Sequence, residues 1–143
     1  MTEGVSLEAA KSEKLSCLMV DGTSTHATVA VCSIDGKALS SSSRMVLIYS
    51  TETANTDMEL SEDRITMRKG GKLPILMLSG QLKASLKCAN PDQMALYALK
   101  IDGTRNERIP VTVEKGSLII SIDTATLKDG PTPFFELVKE NIK

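Results

Sequence analysis

A chain of 143 residues, 41% hydrophobic and 24% charged, has room for one ordinary core, since folding at this length hides roughly two thirds of the unfolded chain's surface. Seventeen basic and eighteen acidic residues leave a net charge of -1, and only 3% of residues are aromatic, with no Trp. That combination lacks both the basic excess for phosphate backbones and the rings for stacked bases, which excludes nucleic acid as a partner.

No run approaches the roughly 18 apolar residues of a membrane span, so no membrane partner is expected. The start, Met1-Thr2-Glu3-Gly4, has neither the basic nor the apolar region of a signal peptide. The chain reads as cytosolic or as a module cut from a longer secreted polypeptide.

In chain order, Leu7 to Lys14 predicts one or two helical turns. Short runs with period-two alternation or β-branched enrichment then predict strands at Leu15 to Val20, Ala27 to Ile34, Arg44 to Thr51, Pro74 to Leu78 and Leu82 to Cys88. Further runs lie at Met94 to Ile101, Ile109 to Val113, Ser117 to Ile122 and Phe134 to Val138, and Glu136 to Lys143 has room for a short frayed helix. The pattern is plainest where Leu82, Ala84, Leu86 and Cys88 alternate with Lys83, Ser85 and Lys87. Asp21-Gly22, Asp35-Gly36, Asp102-Gly103 and Asp129-Gly130 predict turns, because both residue types tolerate positive φ. About nine short strands with turns every ten residues or so imply an all-β fold, an antiparallel β-sandwich of jelly-roll or immunoglobulin-like kind. Residues 1–143 read as one module, without an internal repeat.

Catalytic chemistry finds little to work with. His26 is the sole histidine, and a Ser-His-Asp set drawn from Ser40 to Ser43, His26 and Asp35 lacks any nucleophile elbow. Asp57, Glu59, Glu62 and Asp63 offer oxygens of the kind Ca²⁺ takes, but not the alternation and turn glycine of an EF-hand loop. The sequence therefore calls for no cofactor, leaves a structural Ca²⁺ open and assigns no metal site. Lys69-Gly70-Gly71-Lys72 lacks P-loop spacing and reads as the turn before the strand at Pro74. Cys17, Cys32 and Cys88 are odd in number and widely spaced, which suits small buried hydrophobes better than a disulfide framework; whether Cys17 pairs with Cys32 stays open. Of the aromatics, Phe134 and Phe135 are adjacent and must face opposite sides of a strand.

Three stretches carry a resemblance. They are Ala30 to Leu39 followed by Ser43 to Ile48; Thr53-Ala54-Asn55-Thr56-Asp57-Met58 ahead of Pro74-Ile75-Leu76; and Met94 to Leu99 with Asp102-Gly103, closed by Gly130-Pro131-Thr132-Pro133-Phe134-Phe135-Glu136-Leu137. Together these resemble the β-sandwich module that lies C-terminal to the catalytic barrel in large secreted glycoside hydrolases and related cell-surface proteins. Asp57 stands where that module usually has Gly, and Phe135 where Tyr is common.

The resemblance implies a secreted, non-catalytic accessory module of a carbohydrate-active enzyme that binds plant polysaccharide or oligosaccharide. Candidate carbohydrate-binding residues are Tyr49, Gln81, Lys83, Asn90, Asp92, Gln93, Tyr97 and Phe135. Two other readings are a structural module packed on the catalytic domain of its parent chain, and a protein-protein interaction module of a multi-enzyme assembly. An interaction module exposes an apolar patch of several hundred Å². A sugar site shows a ring beside polar groups in a groove.

Overall fold

The computed structural model describes residues 1–140. Fifteen strands form, in four sheets, where about nine were expected. They are β1 (Thr2–Leu7), β2 (Glu13–Lys14), β3 (Leu18–Thr23), β4 (Ala27–Ser33), β5 (Arg44–Ser50), β6 (Thr53–Thr56), β7 (Glu59–Leu60), β8 (Met67–Lys69), β9 (Lys72–Met77), β10 (Gln81–Leu86), β11 (Met94–Leu99), β12 (Arg105–Ile109), β13 (Val111–Glu114), β14 (Ser117–Asp123) and β15 (Phe134–Lys139). A six-stranded sheet has the order β1-β4-β5-β15-β11-β12, and a five-stranded sheet the order β13-β14-β10-β3-β2. The pairs β6-β9 and β7-β8 stand apart as two-stranded sheets. Every pairing is antiparallel.

The inward residues of both larger sheets share one core. Leu82, Ala84 and Leu86 of β10 and Leu118, Ile120 and Ile122 of β14 meet Val29, Val31, Leu47, Tyr49, Leu96, Phe135 and Leu137 of the six-stranded sheet. The alternation that predicted these strands is thus the alternation that fills the core, each large side chain contributing roughly 1.5–3 kcal/mol. Among the adjacent phenylalanines Phe135 is fully enclosed, and Phe134 is on the outer face.

Several expectations are corrected. No helix forms at Leu7 to Lys14: Leu7 ends β1, Ala10 takes a left-handed φ of 61°, and its N–H donates 2.8 Å to the Thr23 carbonyl of β3 rather than up a helix. The Ile109 to Val113 run is split at Pro110, which has no N–H for a ladder, and the chain passes there from one large sheet to the other. Glu136 to Lys139 continue β15 rather than fraying into a helix, and 141–143 lie outside the described residues. Gly36, Gly103 and Gly130 sit at positive φ in loops, as their Asp-Gly pairs predict. Asp21-Gly22 instead lies within β3, where the register against β10 slips and leaves Asp21 unpaired as a bulge.

Between β5 and β10 the chain leaves the shared core. From residue 52 to residue 79 nothing is buried, and this segment carries β6 to β9. It departs from the end of the body where β15 begins and where the β11–β12 turn carries the exposed Ile101.

Candidate interaction surface

The segment is a ribbon folded back on itself. Thr53, Ala54 and Asn55 pair with Met77, Leu76 and Ile75, and farther out Glu59 and Leu60 pair with Lys69 and Met67. Its base is bolted to the body. Tyr49 donates its hydroxyl to the Gln81 carbonyl at 3.0 Å, the Gly80 N–H donates to the Thr124 hydroxyl at 2.9 Å, and the Gln81 N–H donates to the Ser24 hydroxyl at 2.8 Å. At the tip Asp63 accepts from the Ser61 hydroxyl and from the Ile65 N–H at 3.1 Å, which together hold its carboxyl below the usual range.

Two residues let the ribbon bend midway. Gly71 has φ 72°, and a Cβ there would lie 2.5 Å from the Thr56 carbonyl oxygen and 2.9 Å from Asn55 Cβ, so only glycine fits. Asp57 opposite takes φ 60°, a conformation Asp tolerates better than most side chains. Asp57 also pairs with Lys72 at 2.8 Å, Glu59 with Lys69 at 3.1 Å, and Glu52 with Arg64. Of the acidic segment read as a possible Ca²⁺ loop, Asp57 and Glu59 form ion pairs and Asp63 ties the tip. Among the described residues no three His, Cys, Asp or Glu side chains converge.

What the ribbon shows to solvent is apolar. Ile65, Met67, Leu73, Ile75, Leu76 and Leu78 are all exposed, Ile65 by 84% and Leu73 by 78%. Side chains alternate along β9, so Ile75 and Leu76 occupy opposite faces, and neither face of the ribbon rests on the body. Sequence reasoning found the strand at Pro74 but not that its apolar run stays uncovered. The missed signal was its neighbourhood: residues 57 to 69 ahead of it carry four acids and three bases among scattered apolar residues, and so supply no second apolar strand to pack on.

The eight residues proposed for sugar binding do not form one site. Tyr49 and Phe135 are 0% exposed in the core, so neither ring is available to stack on a ligand. Gln81 and Lys83 lie on the outer face of the five-stranded sheet, with the Gln81 amide donating to Asp123 at 2.9 Å. Asn90, Asp92 and Gln93 form the turn from β10 into β11 at the end opposite the ribbon. Tyr97 stands on the outer face of the six-stranded sheet. The Arg105 guanidinium covers one side of its ring at 4.5 Å, and its hydroxyl donates 2.5 Å to Glu140, which raises the phenol's pKa.

Beside Tyr97 lies a group that sequence reasoning did not single out. Glu136 points outward from β15 yet is nearly enclosed, its two oxygens taken by Nε of Arg44 at 2.7 Å and of Arg105 at 2.6 Å. Burial pushes its pKa up, and the two guanidiniums outweigh that push and hold the carboxyl below its usual range. No family model, no curated protein and no solved structure matches the chain. Its chemistry is therefore read from these side chains alone.

The imagined Ser-His-Asp set is dispersed. Asp35 accepts from the hydroxyls of Ser33, Ser42 and Ser43 and from the Ser43 N–H, 2.7 to 2.9 Å away, which holds its carboxyl far below the usual range and ties the β4–β5 loop together. His26 precedes β4 at its other end, on the order of 20 Å away by strand rise, with Ser6 beside its ring. Cys17 packs against the inner core and Cys32 faces outward beside Thr2, so a sheet separates them, and all three cysteines are free.

Proposed function

We propose that this chain is a non-catalytic accessory module, a β-sandwich of the jelly-roll or immunoglobulin-like kind, that acts by docking its β6–β9 ribbon on protein. The observation that carries this reading is the ribbon's exposed apolar surface. Its six large side chains, spread over both faces of the ribbon, are 47% to 84% exposed, a concentration unlike the singly scattered apolar residues of an ordinary surface. A ribbon apolar on both faces, with no buried residue of its own, gains little for the body and much on contact with a second surface. In the setting that the sequence resemblance suggests, a secreted polysaccharide-degrading protein, the catalytic domain of the parent chain is one such surface. The sugar-binding reading has less support, because two of its rings lie in the core and Tyr97 is already stacked.

Binding of an anilinonaphthalene-sulfonate dye tests the reading on the folded protein, with far-UV circular dichroism as the control for structure. Wild type should enhance dye fluorescence, and the triple variant L73S/I75S/L76S should lose more than half of that enhancement. Electrophoresis through gels containing xylan, mannan, β-glucan or pectin should show no retardation. A folded wild type that binds no dye, or retardation in any gel that the triple substitution leaves unchanged, overturns docking as the function.

A further inference from the structure

The free edge of β9 has a property that its side chains hide. The Leu78 N–H donates 2.8 Å to the Glu52 carbonyl, which fixes the phase of the β6–β9 ladder: residues 78 and 76 turn their backbone groups toward β6, and residues 77 and 75 turn theirs away. By that phase, the backbone groups of Ile75 and Met77 lie on the side of β9 that pairs with no strand among the described residues. Pro74, the residue type that usually blunts an edge, turns its carbonyl to the β6 side, where the Thr56 hydroxyl donates to it at 2.8 Å. The missing N–H of proline is therefore spent on the side already paired. Residues 74 to 78 carry no charge, and Lys72 just before them is held by Asp57. The outermost strands of the two larger sheets differ in kind, each bearing charge: Glu3 on β1, Glu13 and Lys14 on β2, Arg105 and Arg108 on β12, Glu114 on β13.

We infer that the β9 edge pairs with the β9 edge of a second copy of this chain, antiparallel about a two-fold axis at Leu76, making a four-stranded sheet in the order β6-β9-β9-β6. This rests on the docking reading of the ribbon and names its partner. About that axis Ile75 faces Met77 of the second copy, and Met77 faces Ile75, so each pair exchanges two backbone hydrogen bonds through groups that are otherwise unpaired. Leu76 meets Leu76 and Pro74 meets Leu78, apolar pairs that need no backbone bond. No like charges are opposed, since Lys72 falls beyond the paired stretch. The register is self-complementary, as a two-fold contact requires. Edge pairing covers less than the ~800 Å² a side of a stable dimer, so association is reversible, with a dissociation constant of roughly 10 μM to 1 mM.

Sedimentation equilibrium of the full chain over that range tests the inference. Wild type should rise toward twice the monomer mass. Leu76→Lys and Leu76→Glu, each placing like charges on the axis, should each stay monomeric, and an equimolar mixture of the two should regain the dimer. Ile75→Pro, which deletes only an outward N–H, should weaken association at least tenfold while its circular dichroism stays that of wild type. A wild type that remains monomeric to 1 mM overturns the second copy as partner. If the same protein still binds dye through the ribbon, docking on another protein stands; if it does not, both readings fall. Dimers of Leu76→Lys as strong as wild type would overturn the two-fold at Leu76.

Discussion

Glu136 shows what one charged residue does on a sheet face. Its carboxylate is enclosed, whereas Arg44 and Arg105 keep their outer nitrogens in water, so the guanidiniums lose little solvation in holding it. Glu136→Gln should therefore cost about 1–2 kcal/mol at pH 7, less than a fully buried pair would. The sign of the pH effect follows from the depressed carboxyl. In the unfolded chain it titrates near its ordinary 4.5; in the folded chain it titrates lower, so its contribution is complete above that value and fades as the pH falls through the folded pKa. Urea unfolding at pH 7 and at pH 2.5 should show the gap between wild type and Glu136→Gln closing in acid; a constant gap would refute the assignment. Nothing in the sequence announced this residue, because its partners come from positions 44 and 105, far off in the chain. The adjacent phenylalanines were legible, since strand geometry alone sends one ring inward.

At the scale of elements, β10 and β14 were readable because each alternates cleanly and each buries one face. β1 was not: Val5 and Leu7 give only a faint alternation, and Gly4 fits there because a Cβ would lie 2.7 Å from that of Ala30 on β4, a contact between residues twenty-six apart. Asp21-Gly22 misled for a related reason, as the same dipeptide serves a bulge when a neighbouring strand claims both flanks. The ribbon depends on Gly71 in a way that can be separated from its φ. Gly36 has almost the same φ, 73°, but open space around it. Gly36→Ala should cost only the left-handed strain, roughly 1–2 kcal/mol. Gly71→Ala adds a backbone clash, and hydrogen exchange should show amides of residues 53 to 77 losing protection while β10 and β14 keep theirs. Equal protection in both variants would show that the close approach to Thr56 is not what shapes the ribbon.

For the whole molecule, the shared core owes nothing to the ribbon: no residue between Thr51 and Gly80 belongs to it. Glu52 and Leu78 are hydrogen-bonded neighbours, so a short turn can join the strands that they continue. Replacing residues 53–77 by such a turn should change unfolding free energy by less than about 1 kcal/mol, since shortening a loop that closes on itself alters chain entropy only slowly. Urea titration followed by circular dichroism measures this, and a loss several times larger would place the ribbon among the supports of the fold. The two-sheet core was legible in the sequence; the ribbon was not, because a run such as Leu73 to Leu78 reads the same whether it is covered by its own chain or by another.

The strand orders give the ribbon one more part to play. Before it, the chain supplies β1, β4 and β5 to one sheet and β2 and β3 to the other; after it, the chain supplies β15, β11 and β12, then β13, β14 and β10, and no strand crosses between the blocks. By strand pairing the halves join along two seams, β5 with β15 and β10 with β3, and their inward faces share the core. The ribbon is thus the sole covalent bridge between two complementary half-proteins. A backbone cut at its exposed Arg64 tip turns the folding of this chain into the meeting of two molecules, with a rate that depends on their concentration.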